Sequence, residues 1–197
     1  GHVCGKGTYF SAAGGLYEGE LVEEFAVTRT GTYFFADGSR YESVFKEDFN
    51  PHGPGTFFFA DGGRYEGELR DLKPHGSGTY LHSNGDRFEG EWKEGLKQCK
   101  GTWFHAEGFF YKGDLRELNP HGFGTYHYSN GDRYEGNWKK GLKHGTGTFF
   151  HATGKRYEGG WKEGKKHGKG TYFFKRADPF EGEWEAGVLG EWKTLEE

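Results

Sequence analysis

The sequence contains no isoleucine and no methionine, and Leu, Val and Phe together supply less than a fifth of its 197 residues. That shortage excludes an ordinary aliphatic core, and in many chains it accompanies disorder. Two features oppose disorder here: aromatic residues make up 19% of the chain, and the formal net charge is only -4. Any core must therefore be built from Phe, Tyr and Trp. Cysteine is nearly absent as well. Cys4 and Cys99 fit neither a metal-finger nor a multi-disulfide spacing, which suits a reducing compartment. No apolar run approaches the ~20 residues of a membrane-spanning helix, and no signal-peptide pattern is present. No stretch has helical periodicity. The expectation is a folded, cytoplasmic, aromatic-cored chain.

What the sequence has in abundance is glycine, 37 residues without a three-residue period, and a repeat. Tyr134 to Arg156 reads YEGNWKKGLKHGTGTFFHATGKR, and the next unit, from Tyr157, reads YEGGWKEGKKHGKGTYFFKRADP. A marker built on Tyr/Phe-Glu-Gly recurs from the aromatic residues Tyr17, Tyr41, Tyr65, Phe88, Tyr111, Tyr134, Tyr157 and Phe180, in two steps of 24 residues and five of 23. A Gly-Thr-aromatic marker lies midway, as at Gly124-Thr125-Tyr126 and Gly147-Thr148-Phe149. The organisation expected is a partial repeat over 1–16, seven repeats over 17–179, and a final half-repeat with a C-terminal cap over 180–197. Starting in mid-repeat without Met, the chain reads as an excised piece of a longer array.

In Tyr134-Glu135-Gly136-Asn137-Trp138, polar residues alternate with aromatic or small ones at a period of two, the pattern of a half-buried strand. Gly147 to His151, rich in Thr and aromatics, is a second strand. Lys140 to Gly145 reads as a glycine-bracketed loop joining them. Asn130-Gly131-Asp132 and Asn84-Gly85-Asp86 read as tight turns in which Asn-Gly supplies positive φ. Each repeat is thus a β-hairpin. Tyr134, Gly136 and Trp138 share one face with Gly147 and Phe149, while Arg133, Glu135 and Asn137 share the other. A glycine on the aromatic face leaves room for a large ring from the neighbouring strand. Stacked hairpins give an all-β, elongated, single-layer, twisted antiparallel sheet, solenoid-like in its succession of hairpins.

These units resemble the MORN (membrane occupation and recognition nexus) repeat, whose pattern is close to YEGEWKNGKxHGxGxxxxxxGxx. Phe88 to Gly95 matches its first half almost letter for letter, and Tyr157 to Thr171 matches both halves. The resemblance covers nearly the whole chain. It implies an elongated sheet of hairpins and a non-enzymatic scaffold or adaptor, as in cytoskeletal proteins of protists, radial-spoke heads, myosin-tail binders and junctional membrane proteins. The partners it implies are cytoskeletal or motor proteins, and the location it implies is cytoskeletal. An open sheet edge or the aromatic face would allow a homodimer, and the basic block from Lys139 to Arg176 a phosphoinositide membrane contact.

Departures from the repeat are where this chain can be particular. Glu24 to Arg29 replaces the Gly-x-x-His-Gly loop, and Ser43-Val44 replaces Gly-Glu. Gln98-Cys99 replaces His-Gly, Trp103 adds a large ring, and Phe109-Phe110 stands where other units end in Arg. This unit is expected either to fill a local gap or to form an apolar partner-binding spot. The aromatic face offers the other candidate partner contacts: Tyr134, Trp138, Tyr157, Trp161 and Trp184. From Lys139 to Arg176 the basic residues face only Glu158 and Glu163. Lys139, Lys140, Lys143, Lys162, Lys165, Lys166 and Lys169 should recur along one loop edge, either as a solvated edge or as a site for anionic lipid headgroups, an acidic tail or the acidic end of another copy.

Catalytic and metal chemistry find little support. His52, His75, His121, His144 and His167 occupy one repeat position. Equivalent positions should lie ~10 Å apart along such a sheet, too far to share one ion with ligand bonds of about 2.0–2.3 Å. A turn-stabilising hydrogen bond is the better expectation for them. Glu89 and Glu91 recur in nearly equivalent surroundings, unlike a catalytic pair. No phosphate-binding loop, nucleophile elbow or zinc-protease pattern occurs, so no cofactor is expected. The net acidity argues against nucleic acid.

Overall fold

A computed structural model describes residues 5–10, 14–21, 29–45, 53–70, 73–93, 95 and 98–195. The departure at Glu24 to Thr28, and His52 and Cys4, lie outside them. Among the described residues there are seventeen strands and no α-helix. The chain divides into two compact units, Gly1–Leu96 and Lys97–Glu197.

The first unit contains β1 (Gly5–Phe10), β2 (Leu16–Leu21), β3 (Arg29–Phe34), β4 (Arg40–Phe45), β5 (Gly53–Phe58), β6 (Arg64–Arg70), β7 (Lys73–Leu81) and β8 (Arg87–Lys93). Each pairs antiparallel with the next in sequence. The second contains β9 (Gln98–Phe104), β10 (Phe110–Arg116), β11 (Asn119–His127), β12 (Arg133–Lys139), β13 (Leu142–Phe150), β14 (Arg156–Lys162), β15 (Lys165–Phe173), β16 (Phe180–Glu185) and β17 (Val188–Thr194). These too pair only with their sequence neighbours, all antiparallel.

The turns set this register. Gly85 and Gly131 take φ of 91° and 85°, while Asn84 and Asn130 accept hydrogen bonds through Oδ1 from the amides of Asp86 and Asp132. At the opposite end of the β12–β13 hairpin the connection is shorter than its glycines suggest. Between β12 and β13 it is only Lys140-Gly141, both with positive φ. Gly145, with φ of 66°, sits inside β13 at a β-bulge where Gly136 faces Gly147 but Trp138 faces Lys143. His75, His121, His144 and His167 consequently lie within strands. Among the described residues their imidazoles form no turn-stabilising hydrogen bond. It is the backbone carbonyl of His75 that accepts one, from the Tyr65 hydroxyl at 3.1 Å.

The core lies on one face of each sheet. Tyr17, Tyr41, Tyr65, Phe88, Tyr111, Tyr134 and Tyr157 are fully buried. Tyr65, Tyr111, Tyr134 and Tyr157 each lie across a cross-strand glycine pair, and at Tyr41 Ser43 replaces one of the two glycines. A methyl group at Gly136 would come within 2.6 Å of the Tyr134 hydroxyl and 2.5 Å of the Gly147 Cα, so the ring occupies the volume that side chains would fill. The hydroxyl then reaches the backbone of its own strand at the bulge, as Tyr134 donates to the Asn137 carbonyl at 3.2 Å and Tyr157 to that of Gly160 at 3.1 Å. The tryptophans interlock with these rings. Tyr111, Trp138, Tyr134, Trp161, Tyr157 and Trp184 form a file of edge-to-face contacts with centroid separations of 4.9–5.5 Å, each of the order of ~0.5–1.5 kcal/mol beyond burial. Trp138 and Trp161 also donate through Nε1 to the carbonyls of Gly124 and Gly147.

Candidate interaction surface

Burial redistributes the residues that the sequence offered for binding. Trp103, Tyr134, Trp138, Tyr157, Trp161 and Trp184 are all buried in the core. The aromatic face covers itself because each ring packs against rings of the adjoining hairpin. Phe109 and Phe110, adjacent in sequence, go to opposite faces. Phe109 lies over His105 (4.1 Å) and Tyr126 (5.7 Å) on the core side. Phe110 stacks on His127 at 4.2 Å with 13° between the planes. They cannot form one spot together.

The lysines also divide. Lys139, Lys140, Lys162, Lys165 and Lys169 are exposed, but Lys143 and Lys166 turn onto the aromatic face and are half-buried. The Lys143 ammonium sits 4.5 Å from the Phe149 ring centre, 4.7 Å from Trp161, 5.4 Å from Tyr134 and 5.5 Å from Tyr128. Lys166 sits similarly over Tyr157 and Tyr172. Burial, reinforced by the Lys166 charge, pushes the Lys143 ammonium down to about 8. These two lysines therefore drop out of the basic edge.

What remains open to partners is the outer face, which has a grammar of its own. Arginine and apolar residues alternate across neighbouring strands, as in Phe34, Arg40, Phe58, Arg64 and Leu81 of the first unit and His127, Arg133, Phe150, Arg156 and Phe173 of the second. Arg40, Arg133 and Arg156 lie over the rings of Phe58, Phe150 and Phe173 at 3.8, 4.1 and 3.7 Å. Two residues along, glutamate and threonine alternate in the same way. Each arginine pairs with the glutamate on its own strand: Arg40–Glu42, Arg64–Glu66, Arg87–Glu89, Arg133–Glu135 and Arg156–Glu158, at 2.6–3.8 Å. Such partly exposed pairs contribute at most ~1 kcal/mol apiece, so they pattern the surface more than they stabilise it.

Over the glycine columns this face is indented. One depression of about 780 Å³ in the first unit is lined by Thr8, Glu18, Thr32 and Glu42, and another of about 480 Å³ in the second by Glu158, Thr171, Glu181 and Lys193. Among the described residues no group of three or more His, Cys, Asp or Glu side chains could hold a metal ion. Cys99 is buried, and burial pushes its thiol up to about 12, far from a reactive thiolate.

One strand breaks the grammar at both positions, whereas β2 replaces only the arginine, with Leu16. In β10 the arginine position is Phe110 and the glutamate position Lys112, so both members of the ion pair are exchanged together. On the neighbouring β11, Phe123 is 58% exposed. Lys112 and Phe123 are absent from the aromatic-face candidates. Their signal was a Tyr111-Lys112-Gly113 marker that should read Tyr-Glu-Gly, and a Gly-Phe-Gly where other units have a small or basic residue.

The family model of the MORN repeat matches residues 50–64, 65–87, 88–106, 111–133, 134–156 and 157–176. No curated protein sequence is significantly similar to this chain. Among solved structures, the G-box domain of the microcephaly protein CPAP, for which a role in centriole elongation is suggested, is similar in fold. Its TM-score is 0.52 at 11% identity, over 98% of this chain and 99% of that one.

Proposed function

We propose that this chain, which belongs to the MORN repeat family, is a non-catalytic scaffold of the cytoskeleton that holds protein partners along the outer faces of its sheets. The observation that carries this reading is the outer-face grammar. The rings are taken up by the core, and strand after strand presents the same exposed, ion-paired rows, as an array that binds extended partners would. The CPAP G-box domain gives a precedent for such a fold in a protein for which a role in centriole elongation is suggested. Self-association of the array belongs to the same reading. Proximity labelling by the tagged chain in cells tests it: cytoskeletal or motor proteins should be the enriched class. A set dominated by metabolic enzymes, with no filament or motor component, would overturn it.

A second reading is favoured by one observation. Lys139, Lys140, Lys162 and Lys165 remain exposed at successive hairpin turns, between β12 and β13 and between β14 and β15. Turns recurring every second strand put these charges ~10 Å apart on one sheet end, where anionic headgroups could engage several at once. Co-sedimentation with vesicles containing phosphoinositide should then fall steeply as salt rises. No binding at physiological salt removes this reading.

A further inference from the structure

The break at β10 has a geometry of its own on the outer face of the second unit. Phe104, Phe110 and His127 are cross-strand neighbours there, with Phe110 6.0 Å from Phe104 and stacked on His127. Burial and the Arg133 charge hold His127 below its ordinary range, so at neutral pH it stacks as an uncharged ring. Two residues further along the strands, Lys112 lies between Thr102 and Thr125. Two further still on β11 stands the exposed Phe123.

On β11 the line His127, Thr125, Phe123 places an apolar platform, then a cation, then a second ring at intervals of ~6.8 Å, the two-residue repeat of an extended chain. The charges around it are lopsided. Lys100, Lys112 and Arg116 face outward from β9 and β10. Against them stands Asp114, 3.9 Å from Lys100. Arg133 and Glu135 on β12 pair with one another. Elsewhere the same row is threonine and glutamate, apart from Lys193 on β17, which pairs with Glu181 at 3.6 Å. The exchange is a coupled one, unlike that on β2, where Leu16 replaces the arginine and Glu18 stays.

We infer that the outer face of β9 to β11 is a docking site for an extended acidic segment of a partner protein, in which two apolar side chains four residues apart flank a carboxylate. The apolar side chains would rest on the Phe110–His127 platform and on Phe123, and the carboxylate would meet Lys112. Apolar contact supplies the affinity, and the positive field in an otherwise glutamate-lined face selects the partner. The inference rests on the scaffold reading and names one site within it.

The test uses the whole chain and a fluorescent peptide, Glu-Glu-Phe-Ser-Glu-Ser-Phe-Glu-Glu, followed by anisotropy. Binding should saturate, weaken at least tenfold when the central Glu is replaced by Lys or both Phe by Ser, and weaken with salt. Phe123→Ser should also reduce affinity at least tenfold. The decisive variant is Phe110→Arg with Lys112→Glu, which restores the pair used by the other strands. It should melt no lower than the parent and bind no peptide. Undiminished binding by that variant, or no saturable binding by the parent, overturns the inference. So does a concentration-dependent dimer of the parent that the same variant abolishes, since the occupant would then be a second copy. A proximity-labelling set unchanged by the variant would also sink this site while leaving the scaffold reading standing.

Discussion

Gly147→Ala is expected to destabilise the protein by about 3 kcal/mol, and Tyr134→Leu in the same chain should recover part of that loss. The added methyl would lie 2.6 Å from Cζ of Tyr134 and closer still to its hydroxyl, and its nearest obstacles all belong to that one side chain. Overpacking of this kind usually costs ~1–3 kcal/mol, and more where the ring has nowhere to go. Tyr134 has no exit, being fully buried between Trp138 and Trp161. Gly136→Ala should cost at least as much but resist the same rescue, because its methyl also meets backbone, the Gly147 Cα at 2.5 Å and the Thr146 carbonyl at 2.7 Å. Gly168 is the control for space, with nothing within 4 Å, although its φ of 70° still disfavours a side chain. Urea denaturation of the singles and doubles reads the coupling directly. Additive losses in the Gly147 and Tyr134 double variant would mean that the ring does not own that space.

The second large effect lies at Lys143. Its ammonium is more acidic in the fold than in the unfolded chain, about 8 against 10.5. Between those values the unfolded state binds the extra proton, so this group makes stability rise with pH, and below about 8 its burial penalty is present in full. Lys143→Met keeps the apolar stem and removes the charge. The variant should gain about 1–2 kcal/mol at pH 7, after discounting for the water that still reaches the amine and for the attraction of the four rings. That gain should shrink steadily as the pH approaches 9.5. Denaturation midpoints of the two proteins at pH 7, 8.5 and 9.5 isolate the effect, because the ionisation of Cys99 and the tyrosines is common to both. A difference that is constant with pH, or a loss at pH 7, would show that the ring faces fully offset the desolvation.

Much of this fold was legible in one repeat. Period-two alternation put Tyr134, Gly136 and Trp138 on one face, and the glycine pairing with a large ring followed from the same count. Lys143 shows where the count fails. Gly141 and Gly145 look like loop brackets, whereas only Gly141 belongs to a turn and Gly145 to a bulge within β13. Counting parity back from Gly147 through that bulge puts Lys143 on the aromatic face, where a lysine stem can lie along rings. Composition could not reveal this, since a lysine beside a glycine turn has the same letters whichever way it points. Phe109 and Phe110 fail for a simpler reason: consecutive residues of an extended chain look to opposite sides, and two phenylalanines in a row, the second opening β10, are two half-sites. The surface candidates suffered most. With no second layer, the sequence suggested an open aromatic face, but the rings of successive hairpins close over one another.

That mutual closure also governs how the molecule comes apart. Trp161 touches Tyr134 of the preceding hairpin and Tyr157 of its own, so the core has no cell that belongs to one hairpin alone. An isolated hairpin would keep its ladder and lose half of its ring contacts, and two strands by themselves are marginal in water. Most of the free energy therefore resides in the junctions, the limit in which a linear array has weak elements and strong nearest-neighbour coupling. Under mechanical load such an array yields from an end, hairpin by hairpin, while the interior keeps its register until the front arrives.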